Sequence, residues 1–163
     1  MYSVLEVSRH IINYGHEKSY NISNLKLQKL LYFIQAIFLL VKENDEPCFE
    51  ENIEAWDFGP VVPEAYHEYK MYGSLNIPKI DNYKDFEINE NGCLEYLTKD
   101  FYDNVISDED KVVINLVVDK FAGYSAMKLV EITHRQTPWI KAYQEGKKTV
   151  ISNFSIRRYF DAK

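Results

Sequence analysis

The sequence predicts an α+β fold, mainly α, with helices packed around one central buried hydrophobic helix and a small antiparallel β-sheet or hairpin beside them. Three observations predict it. In the stretch 23–42, residues 30–41 include a single strongly polar residue, Gln35, and a helix apolar nearly all round is usually a buried one. Serines preceding apolar residues at helical spacing recur at Ser3, Ser107 and Ser125, marking further amphipathic helices. Asn91-Gly92, a strong hairpin turn, lies between the runs 86–88 and 93–97.

The central run is too short to read as a membrane span. At about 1.5 Å per residue, residues 30–41 rise roughly 18 Å, against the roughly 30 Å hydrocarbon core of a bilayer. Lys26 and Lys29 bound it on one side, and Lys42, Glu43 and Asp45 on the other. A chain of 163 residues makes one domain with a sizeable core, leaving no room for a separate DNA-binding domain. Its 46% hydrophobic and 27% charged residues are globular proportions, and thirteen Tyr and nine Phe favour packed faces with polar tips. The net charge of −6 repels a phosphate backbone, so nucleic acid is not an expected partner. Cys48 and Cys93 lack Cys-x-x-Cys spacing and no charged-then-apolar leader opens the chain, which together fit a reducing cytoplasm.

Taken in order, Ser3 and Glu6 have capping-box spacing, and Val4, Val7, Ile11 and Ile12 carry a helix over residues 3–14 that Gly15 stops. Ser23 or Asn24 then caps the central helix, whose stripe is Leu27, Leu30, Leu31, Ile34, Phe38 and Val41. Residues 48–58 alternate weakly, as a short strand or strand-like loop does. Gly59 and Pro60 set a turn, and Pro63 opens a helix to Met71 that Gly73 ends. Residues 74–91 are polar and irregular until the hairpin. Ser107 caps a helix to Phe121, Ser125 one to His134, Thr137-Pro138 a short one, and Asn153 a last one to Tyr159.

The sharpest chemical pattern is Glu64-x-x-His67 with Glu131-x-x-His134, two carboxylate and imidazole pairs at i, i+3, a device of di-metal helical bundles. With 25 acids in the chain such spacing also arises by chance, and the helix led by Pro63 is short for a metal bundle. No metal or other cofactor is therefore expected. His134 has structural readings as well, pairing with Glu131 or capping a helix end. Trp56 and Trp139 read either as interface anchors or as core. Lys147 and Lys148 after Gly146 read as a solvated turn. No nucleophile and base share a motif and no glycine-rich phosphate loop occurs, so an enzyme has no positive support.

Three blocks of the chain resemble the SocA-like antitoxin family, also called the Panacea domain, found in bacteria and their phages. They are residues 25–32 (Leu-Lys-Leu-Gln-Lys-Leu-Leu-Tyr), residues 54–63 (Glu-Ala-Trp-Asp-Phe-Gly-Pro-Val-Val-Pro) followed by Tyr66, and Ile132-Thr133-His134 with Pro138-Trp139. Gln136-Thr137 departs from the family, which often has another proline before Pro138. The resemblance implies a non-enzymatic antitoxin that binds and neutralises a cognate toxin encoded beside it. A proteolytic adaptor delivering a toxin or host protein to an ATP-dependent protease is the alternative. Lys26, Gln28, Lys29, Trp56, Tyr66, His134 and Trp139 are the expected partner-binding residues. Leu30, Leu31, Gly59, Pro60 and Pro63 are the expected structural ones.

Overall fold

Helix α2 (Asn24–Val41) is the axis of the computed structural model, which describes residues 1–163. Fourteen of its eighteen residues are buried, because α1 (Val4–Glu17), α3 (Pro63–Tyr69), α4 (Asp108–Phe121), α5 (Ala126–His134) and α7 (Asn153–Asp161) all pack on it. Leu27, Leu30, Leu31 and Ile34 are wholly inaccessible, and each such side chain stabilises the fold by about 1.5–3 kcal/mol. The helix is long and apolar enough to cross a membrane by length and composition, and 78% of that span is buried inside the fold. A short α6 (Thr137–Ala142) completes the seven helices, which make the architecture mainly α with a small β component.

Two small sheets accompany them. Strands β1 (Ile53–Trp56), β2 (Gly59–Val61) and β5 (Thr149–Ile151) form an antiparallel sheet in the order β2-β1-β5, with Trp56 opposite Gly59 and Ile53 opposite Ile151. Strands β3 (Asn82–Ile88) and β4 (Leu94–Asp100) form a separate hairpin. The Asn91-Gly92 turn is where the sequence places it, but the strands reach seven residues each, well past the runs 86–88 and 93–97. Their extra length comes from pairing Asn82 with Asp100 and Tyr83 with Lys99, residues without apolar alternation to announce them.

Other boundaries also move. Gly15 does not stop α1, which runs through it to Glu17; Ile22 lies so close that a Cβ at Gly15 would stand 2.7 Å from its Cγ1. Gly59 and Pro60 are not the turn but the start of β2, the turn falling one step earlier at Asp57-Phe58. Ser152 rather than Asn153 caps α7, its hydroxyl accepting from the Ser155 N–H at 3.2 Å. Gln136 rather than Thr137 precedes α6, which keeps Pro138 within its first turn.

Side-chain amides replace missing strands where irregular backbone crosses the core. Gln35, the lone polar residue of the apolar run, accepts from the Cys48 N–H at 2.9 Å and the Phe49 N–H at 3.3 Å. Its own amide donates to the Phe49 carbonyl at 3.1 Å. Asn13 does the same for Ile80, accepting from its N–H and donating to its carbonyl, each at 2.8 Å. Buried backbone groups left unpaired are costly, so each amide makes an otherwise unsupported segment stable.

Candidate functional site

The three blocks singled out in the sequence meet in one place, and polar side chains from α2 tie them together. Asn24 donates to the Tyr66 carbonyl at 3.0 Å and accepts from Gln28 at 2.9 Å, and Gln28 in turn accepts from the Val62 N–H at 2.9 Å. One turn on, Lys29 donates to the Pro60 carbonyl at 2.8 Å. Tyr32 donates to Gln136 at 2.8 Å, reaching the third block. That block closes the ring, because the Trp139 indole N–H donates to the Trp56 carbonyl at 3.0 Å.

Lys26, Gln28 and Lys29, expected to contact a partner from the polar beginning of the helix, are therefore turned inward. All three are buried, Lys29 completely, and Lys26 donates to the Ala122 carbonyl at 2.7 Å. The two amines are held by backbone carbonyls, so Lys26 and Lys29 support the groove described below rather than line it, whereas Gln28, held by Asn24 and the Val62 N–H, also lines it. Burial pushes the Lys29 amine down to about 7, since no carboxylate pairs with it to offset the lost hydration.

Gly59 is required at this junction twice over. Its φ of +94° favours glycine, and a Cβ there would stand 2.7 Å from Thr133 Oγ1 and 3.0 Å from Lys29 Cε. The close approach of β2 to α2 and α5 thus depends on a missing methyl group. Leu30 and Leu31 are wholly buried on α2, Pro60 is buried within β2, and Pro63 opens α3.

His134 and Trp139 stack with ring centroids 4.0 Å apart, and Trp139 stacks on Tyr143 at 4.5 Å. Burial first, and the Lys29 charge second, hold His134 below its ordinary value, against a hydrogen bond from the imidazole to the Asp57 backbone carbonyl that raises it. The Tyr143 hydroxyl donates to Asp57 at 2.9 Å, so the column of rings supports the β1–β2 turn from below. His134 and Trp139 act inside the fold, and the largest exposed aromatic of the second block is Phe58, which sequence reading passed over. Its signal was its place at the turn between two short strands.

The paired Glu-x-x-His motifs do not converge on a metal. Glu131 is held by Lys128 and Arg135 on the exposed side of α5, whereas His134 lies in the aromatic column and His67 stands against Tyr66 on α3. No group of three or more His, Cys, Asp or Glu side chains is arranged so that it could hold a metal ion.

Above the braced junction opens a groove of about 510 Å³. Trp56 and Tyr66 form its floor, edge to face at 4.9 Å, and the Trp56 indole N–H is pinned to Glu54 at 2.7 Å. Lys148 lies over the Trp56 ring, 4.2 Å from its centroid. Phe58 and Lys147 also line the groove, as does Lys70 from the end of α3. Rigid aromatic side chains with one polar handle each suit protein recognition.

The model of the SocA-like antitoxin family, Panacea domain, matches residues 27–140, a stretch that contains Lys29, the β1–β2 turn, Tyr66, His134 and Trp139. Antitoxin SocA of Caulobacter vibrioides (strain NA1000 / CB15N) is 48% identical over 52 residues, 32% of this chain. That match spans only about a quarter (27%) of the relative's own length. No solved structure matches the chain.

Proposed function

The chain belongs to the SocA-like antitoxin family, Panacea domain, and from that premise we propose that it neutralises a toxin encoded by a neighbouring gene through direct protein–protein binding. The observation that carries this reading is the convergence of the three family blocks on a rigid, exposed aromatic groove. Lys29, Gln28, Tyr32 and Trp139 each hold that surface by a hydrogen bond to a different part of it. A surface fixed in advance loses little conformational entropy on binding, which favours affinity. The role is non-enzymatic and needs no cofactor, nucleic acid or membrane. Two free cysteines, Cys48 and Cys93, support a cytoplasmic setting.

Co-expression with the product of the neighbouring gene tests the proposal. Growth arrest by that product alone, its relief when this chain is co-expressed, and recovery of a stable complex are the expected results. A neighbour that is harmless alone and forms no complex overturns the reading. The same cells report the manner of neutralisation: occlusion leaves the toxin's half-life unchanged or longer, whereas delivery to an ATP-dependent protease shortens it.

A further inference from the structure

The groove is cationic in a protein whose net charge is −6. Lys70 closes it from the end of α3, and Lys147 and Lys148 close it from the turn before β5; all three are exposed. None is neutralised by a carboxylate. Lys147 donates to Gln144, a neutral acceptor, and Lys148 rests on the Trp56 ring. The only acid lining the groove is Asp57, whose carboxylate is already engaged by the Tyr143 hydroxyl. Beside these cations Phe58 is 57% exposed, an apolar surface more than half open to solvent.

Building on the toxin-binding reading, we propose that this groove captures a short acidic segment of the partner polypeptide that also carries an aromatic or aliphatic side chain. Carboxylates of that segment pair with Lys70, Lys147 and Lys148, and its apolar residue covers Phe58 and Tyr66. A carboxylate that draws Lys148 off Trp56 also frees the indole face for contact. A lone inorganic anion satisfies the lysines and leaves the aromatic surface wet. A long nucleic acid suits both, but its phosphates beyond the groove meet an acidic surface, while a short peptide feels the local rim within a screening length of about 8 Å.

The test uses the full chain and two fluorescein-labelled hexapeptides, alternating Glu-Phe and alternating Lys-Phe, with fluorescein-labelled oligothymidylate of ten residues as the nucleic-acid probe. The Glu-Phe peptide is expected to bind at least about tenfold more tightly than the Lys-Phe peptide, and to weaken as salt is raised. The triple variant Lys70→Glu, Lys147→Glu, Lys148→Glu should lose roughly tenfold or more of that binding, its melting temperature staying near the wild-type value because all three residues are exposed. The same variant should fail to capture the neighbouring gene product that the wild type captures. Equal binding of the two peptides, tighter binding of oligothymidylate, or full capture by the triple variant overturns the proposal. Selection of the acidic peptide by a wild type that does not capture the neighbour removes the toxin reading while leaving the groove's chemistry standing.

Discussion

The two hairpins of this protein are opposites in how they are held. The β1–β2 hairpin has strands of four and three residues, yet all three residues of β2 are buried, and side chains from α2 and α6 bond the backbone at Pro60 and Trp56 and at Val62 just beyond β2. The β3–β4 hairpin has fully paired seven-residue strands and lies mostly in solvent. Phe86, Ile88, Leu94 and Tyr96 share one of its faces, and all are more than half exposed. Its attachment runs through the other face, where the Arg9 guanidinium stacks 3.6 Å above the Tyr83 ring. Backbone pairing therefore does not rank these elements; burial against α2 does, since an isolated two-stranded ribbon is marginal in water.

Substitutions separate the two regions. Leu31→Asp, at a wholly buried position on α2, should cost about 5 kcal/mol or more, comparable with the stability of a typical domain, and circular dichroism should show the helical signal lost. Gly59→Ala should cost about 3 kcal/mol, a fall in melting temperature of roughly 6–12 °C, because it combines a strained φ with displacement of Thr133 and Lys29. Gly92→Ala, at φ +75° with open space around it, should cost about 1 kcal/mol; equal melting temperatures for the two variants would remove the distinction drawn between the hairpins.

Lys29 sharpens the comparison through pH. In the unfolded chain its amine keeps its proton to about 10.5, while in the fold it gives the proton up above about 7. Between these values the unfolded state binds more protons, so stability rises with pH across that window; below 7 both states are protonated and the penalty of the buried charge is fully present. Denaturant unfolding between pH 7 and 8.5 should show this rise, and Lys29→Met should flatten it. Above about pH 9 the rise levels off, because burial raises the Cys48 thiol, and the earlier ionisation of the unfolded thiol offsets the Lys29 contribution. Ile88→Ser on the exposed hairpin should have the smallest effect, within about 0.5 kcal/mol or roughly 2 °C by thermal melting.

What the sequence made legible follows the same division. The apolar run of α2 and the caps Ser3, Ser23, Ser107 and Ser125 are local signals, and each appears in the fold where those signals place it. Ser152 and Asn153 both have side chains that cap helices, so the sequence does not distinguish the true cap, Ser152, from its neighbour. The inward turn of Lys26 and Lys29 was not legible, since a lysine is mostly exposed and the carbonyls that receive these two lie at Ala122 and Pro60, far along the chain. The blocks themselves were recognisable as a family pattern, but their shared purpose as a brace needed the distances. The groove was the least legible part, because Lys70 and Lys147 come together only when α3 and the segment before β5 flank the same floor.

Gln35 has a consequence for hydrogen exchange. Cys48 and Phe49 lie in a segment without regular structure, whose backbone meets the N-terminal residues at the single Tyr2 to Phe49 bridge and whose Glu46 and Glu51 side chains bond Met1 and Val4; rapid deuterium uptake is the ordinary expectation there. Their amide protons nevertheless point at one buried side-chain oxygen, and opening them requires α2 to release Gln35. Deuterium should enter these two amides on the slow timescale of α2 itself, an island of protection surrounded by fast-exchanging neighbours.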